Sequence, residues 1–232
     1  DEMRQAREAV AAHSGKVLGT LRVTVPQSLG ARRMGRMFAD FARLYPEILL
    51  DVDFDDRVKD LIDSKYDAAI RIGHMPDSSF IIRQLQPVRA VCAASPDYLE
   101  KFGTPEEPRD LYGHECLRYL NARTGEWEFL SGGKQIRIRP HGRMASGNGE
   151  ALLQWAILGF GVLYAPNFIV EDALKDGRLV RILADYASPE LSMCVMRPPG
   201  GLVPAKVRAL TDFLVTRMGV YCNEDEQGES TD

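Results

Sequence analysis

The chain has 232 residues, 45% of them apolar, enough for one large domain or two modest ones to bury a core without staples. Its formal charge of -4 is more than accounted for by the terminal acids Glu224, Asp225, Glu226, Glu229 and Asp232, so the body is nearly neutral. No dense Lys/Arg stripe of the kind that neutralises phosphates runs through it, which argues against direct DNA binding by these residues. The cysteines, Cys92, Cys116, Cys194 and Cys222, are too widely spaced for a CxxC knuckle or redox pair. They read as buried thiols in a reducing cytoplasm, with a peroxide-sensing Cys116/Cys222 pair as the minor alternative. No apolar run approaches the roughly twenty residues of a membrane span and no export signal opens the chain, so a soluble, cytoplasmic protein with no membrane partner is expected.

In chain order, Met3, Ala6 and Val10 share one helical face ahead of the break at Ser14 and Gly15. LGTLRVTVP alternates as a strand does and stops at Pro26. Met34, Met37, Phe38, Phe41 and Leu44 then recur at helical spacing up to Pro46. ILLDVDF, a polar helix RVKDLIDSK and the strand YDAAIRIG complete a β-α-β-α-β opening, which predicts a parallel sheet. FIIRQL and VRAVCAAS are further strands, separated at Pro87, and SPDYLEKFG is a helix capped by Ser95. Shorter strands follow in CLRYL, EWEFL, KQIRIRP and GRMAS, with a hairpin turn at Ser131 to Gly133. GEALLQWAILG is a helix, VLYAP a buried strand, FIVEDALKDG a helix closed by Gly177, and RLVRIL a strand. ELSMCVMRP is a last strand, and PAKVRALTDFLVTRMG a last helix, ending at Gly219. These add up to two α/β units, and the final strand and helix fit either. NEDEQGESTD is acidic enough to be a disordered tail over residues 220–232.

Several segments resemble, in order, the effector-binding domain of LysR-type transcription regulators, from about Gly19 to Gly219. GTLRVTVP is similar to the family's first strand, FADFARLYPEILLDV to its first helix and second strand, and DLIDSKYDAAIRIG to its third. SPDYLEKFGTPEEPRDLYGHECLRY matches the subgroup pattern SPxYLxxxGxPxxPxDLxxHxCL, the most specific of the segments. NGEALLQWAILGFGVLYAPNF resembles a later stretch in which Asn and Gly open a helix. The resemblance implies two Rossmann-like subdomains joined by two crossover strands, as in type 2 periplasmic binding proteins, with the ligand cleft between them. Subdomain 1 would comprise 19–86 plus 190–219 and subdomain 2 would comprise 88–187. Residues 1–15 would end a linker helix whose helix-turn-helix lies outside this chain, so that DNA is contacted only through that absent domain. The resemblance also implies a homodimer or homotetramer responding to a small-molecule effector.

Ligands of parallel α/β sheets sit beyond the carboxyl ends of the strands, where helix amino termini present free N–H groups. Two such junctions stand out. Pro26, Gln27, Ser28, Leu29 and Gly30 form the first, where Ser28 either caps the helix or donates to a carboxylate. Ser146, Gly147, Asn148 and Gly149 form the second, where Asn148 offers both a donor and an acceptor, or a simple cap. Facing each other, they favour an anionic or carboxylate-bearing metabolite. Arg71, Gly73 and His74 end the third strand at the same rim, Arg118 and Tyr119 lie on a strand of the second unit, and Tyr164, Pro166 and Phe168 offer an apolar wall. For these the alternatives are surface pairing and core packing. Arg32, Arg33 and Arg36 read as a solvated helix face. Gly159 to Gly161 follow a helix, which excludes a dinucleotide fingerprint, and His13, His74, His114 and His141 form no metal-ligand or catalytic spacing. No enzyme activity, cofactor, metal or catalytic residue is expected. The rival reading is a periplasmic-type solute-binding protein, which shares fold and cleft.

Overall fold

A computed structural model describes residues 17–57, 61, 65–73, 80–200 and 202–227, with no side chains described beyond Met218. The helix expected in 1–13, most of the polar helix at 57–65, His74 and the Cys222 side chain lie outside the described residues. The first strand, β1 (Gly19–Val25), keeps Leu21, Val23 and Val25 wholly buried. It ends at Pro26, which has no N–H to continue a ladder. Helix α1 follows as one run in three pieces: an α turn over Gln27–Leu29, a wider π turn over Gly30–Met34, and a regular stretch over Gly35–Leu44. Met37, Phe38 and Phe41 form its buried stripe. Strands β2 (Ile48–Phe54) and β3 (Ala68–Gly73) flank β1, both parallel to it.

Strand β4 (Ile81–Val88) runs straight through Pro87, so the expected break there is corrected: Pro87 pairs with Ser192 and the chain breaks at Arg89 instead. This proline is tolerated because β4 is an edge strand, in a sheet of order β2-β1-β3-β12-β4. The second lobe contains β5 (Ala90–Ala94), α2 (Pro96–Phe102), a 3₁₀ turn over Pro108–Gly113, β6 (Cys116–Tyr119) and the hairpin β7 (Trp127–Ser131) and β8 (Lys134–Ile138). It continues through β9 (Ala145–Ser146), α3 (Gly149–Ile157), β10 (Val162–Pro166), α4 (Asn167–Lys175) and β11 (Val180–Ile182). Its sheet has the order β11-β5-β10-β6-β9. Strand β12 (Leu191–Arg197) then returns to the first sheet, and α5 (Ala205–Gln227) packs back over it, so both complete the first lobe.

Neither sheet is wholly parallel, contrary to the expectation from element order. β12 is antiparallel to β3 and β4, and β5 is antiparallel to β10 and β11. The reason is connectivity: a chain that leaves one lobe and later re-enters it comes back in the opposite sense. Helix α5 also continues past Gly219, its expected end. An interior glycine costs a helix only about 1 kcal/mol, and the Glu and Gln residues beyond it are good helix formers.

Two features tie the lobes where the chain crosses. Ala90 N–H donates to Ser188 Oγ at 2.8 Å, and Arg89 Nη2 meets Glu190 Oε1 at 2.6 Å. The main core spans both lobes, joining Leu21, Phe41 and Leu210 to Leu152, Leu163 and Val170. A second cluster around Tyr98, Trp127, Phe129 and Ile138 supports the hairpin side of lobe two.

Candidate functional site

The parallel register sets the cleft wall of the first lobe. Strands β2 and β1 end level, Val25 opposite Phe54, while β3, with Ala69 opposite Thr24, runs on past their ends to Gly73. Three segments therefore emerge together: Asp55–Arg57 after β2, Pro26–Leu29 after β1, and Arg71–Gly73 at the end of β3. Gln27 N–H donates to Asp56 Oδ1 at 3.0 Å, stitching the first two. The second lobe brings Tyr119 from β6, Ser146 from β9 and Asn148 from the start of α3.

Asn148 is the N-cap of α3, its Oδ1 accepting from Ala151 N–H at 2.9 Å, and it also crosses the cleft, donating from Nδ2 to Gln27 Oε1 at 2.7 Å. The plain cap and the cleft contact are thus both present in one side chain. Ser146 Oγ accepts from Asn148 N–H at 3.0 Å and fixes that turn. Ser28 caps nothing, because the α1 N-cap is Pro26, without a side-chain bond. The residue is only 4% exposed, and its buried hydroxyl finds no hydrogen-bond partner among the described residues. It lies against Gly149, where a Cβ would sit only 2.9 Å from Ser28 Oγ. Gly149 thereby lets the two helix starts approach.

Arg71 is the notable charge of this wall. Its guanidinium donates to Ile70 O at 3.0 Å, Thr24 Oγ1 at 3.1 Å and Arg57 O at 3.3 Å, all neutral acceptors. No carboxylate stands within ion-pair distance of it among the described residues. Burial pulls its pKa below the ordinary arginine value, partly offset by the charges of Asp55 and Asp56. Burial likewise raises the Asp56 carboxyl, although the Gln27 N–H counters it. Tyr119, across the cleft, is raised by its own burial and senses both Asp56 and Arg71.

The remaining expected residues separate. Leu29 and Phe168 are core. Pro26 and Pro166 are half-buried helix N-caps, and Gly73 pairs with Ser192. Arg118 turns outward, its Nε donating to Gly142 O at 3.2 Å. Tyr164 stacks on Trp127, centroids 5.3 Å apart, and its hydroxyl donates to Glu128 O at 2.6 Å, on the hairpin side of its lobe.

Arg32 and Arg33 are not a solvated face, and that expectation is corrected. Arg32 makes a bidentate pair with Glu150, both contacts at 2.7 Å, and a third contact to Asp172 at 3.1 Å. Arg33 meets Glu171 at 2.5 Å. The π turn of α1 puts both guanidinium groups against the other lobe, Arg32 at the start of α3 and the middle of α4, and Arg33 at the middle of α4. Hydrogen bonding from Arg32 holds the Glu150 carboxyl below its ordinary range. The Ser28 hydroxyl lies near enough to add slightly to that effect, though not at bonding geometry. Asp56 and Glu150 were missed in the sequence. The double acid after ILLDVDF and the acid directly after Asn148-Gly149 were the available signals, since both follow strand-to-helix junctions.

Cys92, Cys116 and Cys194 are free and buried. Burial pushes the Cys116 thiol up to about 12 and Cys194 to about 11, which leaves almost no thiolate for peroxide chemistry near neutral pH. Among the described residues no group of His, Cys, Asp and Glu gathers as a metal site, and no helix is long and apolar enough to cross a membrane.

A two-lobed α/β fold with a polar cleft at its parallel strand ends is the architecture of a periplasmic-binding-protein-like receptor domain. The LysR substrate binding domain model matches residues 14–219, and this chain belongs to that family. An HTH-type transcriptional regulator of Xanthomonas campestris pv. campestris is 35% identical over 223 residues, covering 94% of this chain and 64% of the relative. The chain thus spans less than two thirds of that protein's length. The regulatory domain of CrgA, a LysR-type transcriptional regulator from Neisseria meningitidis, is 29% identical, with a TM-score of 0.75 over 87% of this chain and all of that one. Full-length AphB, the Vibrio cholerae virulence activator, is 25% identical, with a TM-score of 0.76 over 92% of this chain and 73% of that one.

Proposed function

We propose that this chain is the effector-sensing part of a LysR-type transcription regulator, binding a carboxylate-bearing metabolite between its lobes. The single observation that carries the ligand class is Arg71, a half-buried cation at the strand ends whose hydrogen bonds among the described residues all go to neutral acceptors. The unpartnered Ser28 hydroxyl supports it, because a buried polar group without a partner costs about 1–3 kcal/mol that a ligand oxygen would recover. Gln27, Ser146, Asn148 and Tyr119 complete the contact set. Gly73, Arg118, Pro26, Leu29, Tyr164, Pro166 and Phe168 act as rim or support.

The domain acts by binding rather than turnover. An effector that fits one lobe arrangement better than another shifts their populations, and the shift is read by paired copies of the protein. We take the lobes as 19–86 plus 190–219 and 88–187, a division that the presence of two separate five-stranded sheets supports. DNA contact belongs to a separate helix-turn-helix segment, in keeping with the neutral body of this chain, and the working form is a dimer or tetramer. The buried free thiols suit the cytoplasm. The family match and the regulator relatives favour this reading over a transport solute receptor of the same fold.

A thermal-shift screen of carboxylic acids tests it. A true effector at a hundred times its dissociation constant stabilises the fold by about 2.7 kcal/mol, and Arg71→Ala removes that gain. Equal stabilisation of wild type and Arg71→Ala would overturn the assignment of the site.

A further inference from the structure

The charges around the three strand ends are almost all spoken for. Asp55 is paired with Arg57 at 2.8 Å, Glu150 with Arg32, and Asp53 accepts from the Tyr66 hydroxyl. Two opposite charges remain without an ion-pair partner among the described residues: the Arg71 guanidinium and the Asp56 carboxylate. They are neighbours. Arg71 on β3 reaches across β1, touching Thr24, and its Nη2 ends on the carbonyl of Arg57, the residue next to Asp56. Each lies within electrostatic reach of the other and of Tyr119 from the opposite lobe. Yet they do not close into a pair. Among the described residues Asp56 accepts one hydrogen bond, from Gln27 N–H on Oδ1. The Ser28 hydroxyl, one residue along from Gln27, has no hydrogen-bond partner among the described residues and lies against Gly149 of the opposite lobe.

A plain carboxylic acid seated on Arg71 would bring its own negative charge beside Asp56, at a cost in a half-buried site. A molecule that carries a proton-donating group beside its carboxylate meets both. Resting on the carboxylate-cleft reading, we infer that Asp56 is the specificity-determining residue of this cleft. It takes the ammonium or hydroxyl of a 2-amino or 2-hydroxy acid whose carboxylate binds Arg71. Arg71 and Asp56 are neighbours at one junction, through the Arg57 carbonyl, and neither has an ion-pair partner among the described residues, which is what such a ligand completes.

The test uses two matched series, propionate, lactate and alanine, then 3-phenylpropionate, 3-phenyllactate and phenylalanine, titrated calorimetrically against wild type, Asp56→Asn, Asp56→Ser and Arg71→Ala. Asp56→Asn keeps an oxygen for Gln27 N–H, and Asp56→Ser removes the charge by a different route should the first fold poorly. In at least one series the donor-bearing acid binds wild type about tenfold or more tighter than the plain acid. Both Asp56 variants erase that preference, and Arg71→Ala abolishes binding of every member. If plain and donor-bearing acids bind alike, or the preference survives in the Asp56 variants, the role of Asp56 is wrong while the Arg71 cleft stands. If no member binds wild type, or Arg71→Ala binds as wild type does, the carboxylate cleft fails and this inference with it.

Discussion

Two glycines that look alike in the sequence have opposite consequences. At Gly142 a Cβ would lie 2.2 Å from the carbonyl oxygen of Cys116 and 2.8 Å from its nitrogen, both backbone atoms of a buried strand that cannot swing aside. Nothing stands within 4 Å of a Cβ built on Gly113. Gly142→Ala should therefore destabilise by at least about 1–3 kcal/mol, the usual cost of overpacking, whereas Gly113→Ala stays within about 0.5 kcal/mol of wild type. Urea unfolding followed by circular dichroism checks the pair, and equal midpoints for the two variants would contradict the close approach. Neither distance was legible in the sequence, because GRMAS and LYGHE carry the same local turn chemistry. The difference comes from a strand 26 positions away from Gly142 in sequence and adjacent in space.

The start of α3 shows how one element serves two purposes. Asn148 caps the helix through Ala151 N–H and bridges to Gln27 in the other lobe. Asn148→Ala loses both and should cost about 1 kcal/mol for the cap alone. Asn148→Ser retains a capping oxygen but cannot reach Gln27, so the difference in melting temperature between the two variants isolates the cap, and the remaining deficit of the serine variant reports the bridge. A serine variant as unstable as the alanine one would deny the cap. The sequence announced this cap plainly, since Asn before Gly-Glu-Ala at the head of an apolar run is a local signal. It did not announce the partner. The π turn at Gly30–Met34 was equally hidden: its residues read as ordinary helix, and a Cβ at Gly30 would come within 2.4 Å of the Phe54 ring, a contact set by β2 rather than by neighbours in the chain.

Between the lobes, the Arg32–Glu150 pair is the best-defined tie. Its side chains are 21% and 32% exposed, and its geometry is bidentate, so it should exceed a surface ion pair. A double-mutant cycle with Arg32→Gln and Glu150→Gln is expected to give a coupling of about 1–2 kcal/mol, measured by denaturant unfolding; additive effects would reduce the pair to a surface contact. The same tie predicts a response to acid. With its carboxyl held down chiefly by the Arg32 hydrogen bond, Glu150 binds fewer protons folded than unfolded between its lowered and ordinary values. Its contribution is complete above the ordinary carboxylate range and drains away as the pH falls through the lowered value. Small-angle scattering should therefore show the lobes separating on acidification, and Glu150→Gln should blunt that step. A radius of gyration that rises identically in wild type and variant would sink the prediction.

The sequence by itself determined the strands and most helix boundaries of the described chain, because hydrophobic period, prolines and caps are local properties of neighbouring residues. Through one long subgroup pattern it also determined the family. It singled out Ser28, Arg71, Asn148 and Tyr119, since strand-to-helix junctions are where parallel sheets bind ligands. Only the tertiary structure decided how these residues meet. Register along β1, β2 and β3 set Asp56 beside Arg71, and the opposing lobe turned Arg32 and Arg33 from an apparent surface face into an interlobe tie. Strand β12 in the first sheet and β5 in the second made both sheets mixed rather than parallel. Ion pairing, orphaned hydroxyls and strand direction all depend on residues tens of positions apart, and no local pattern carries that information.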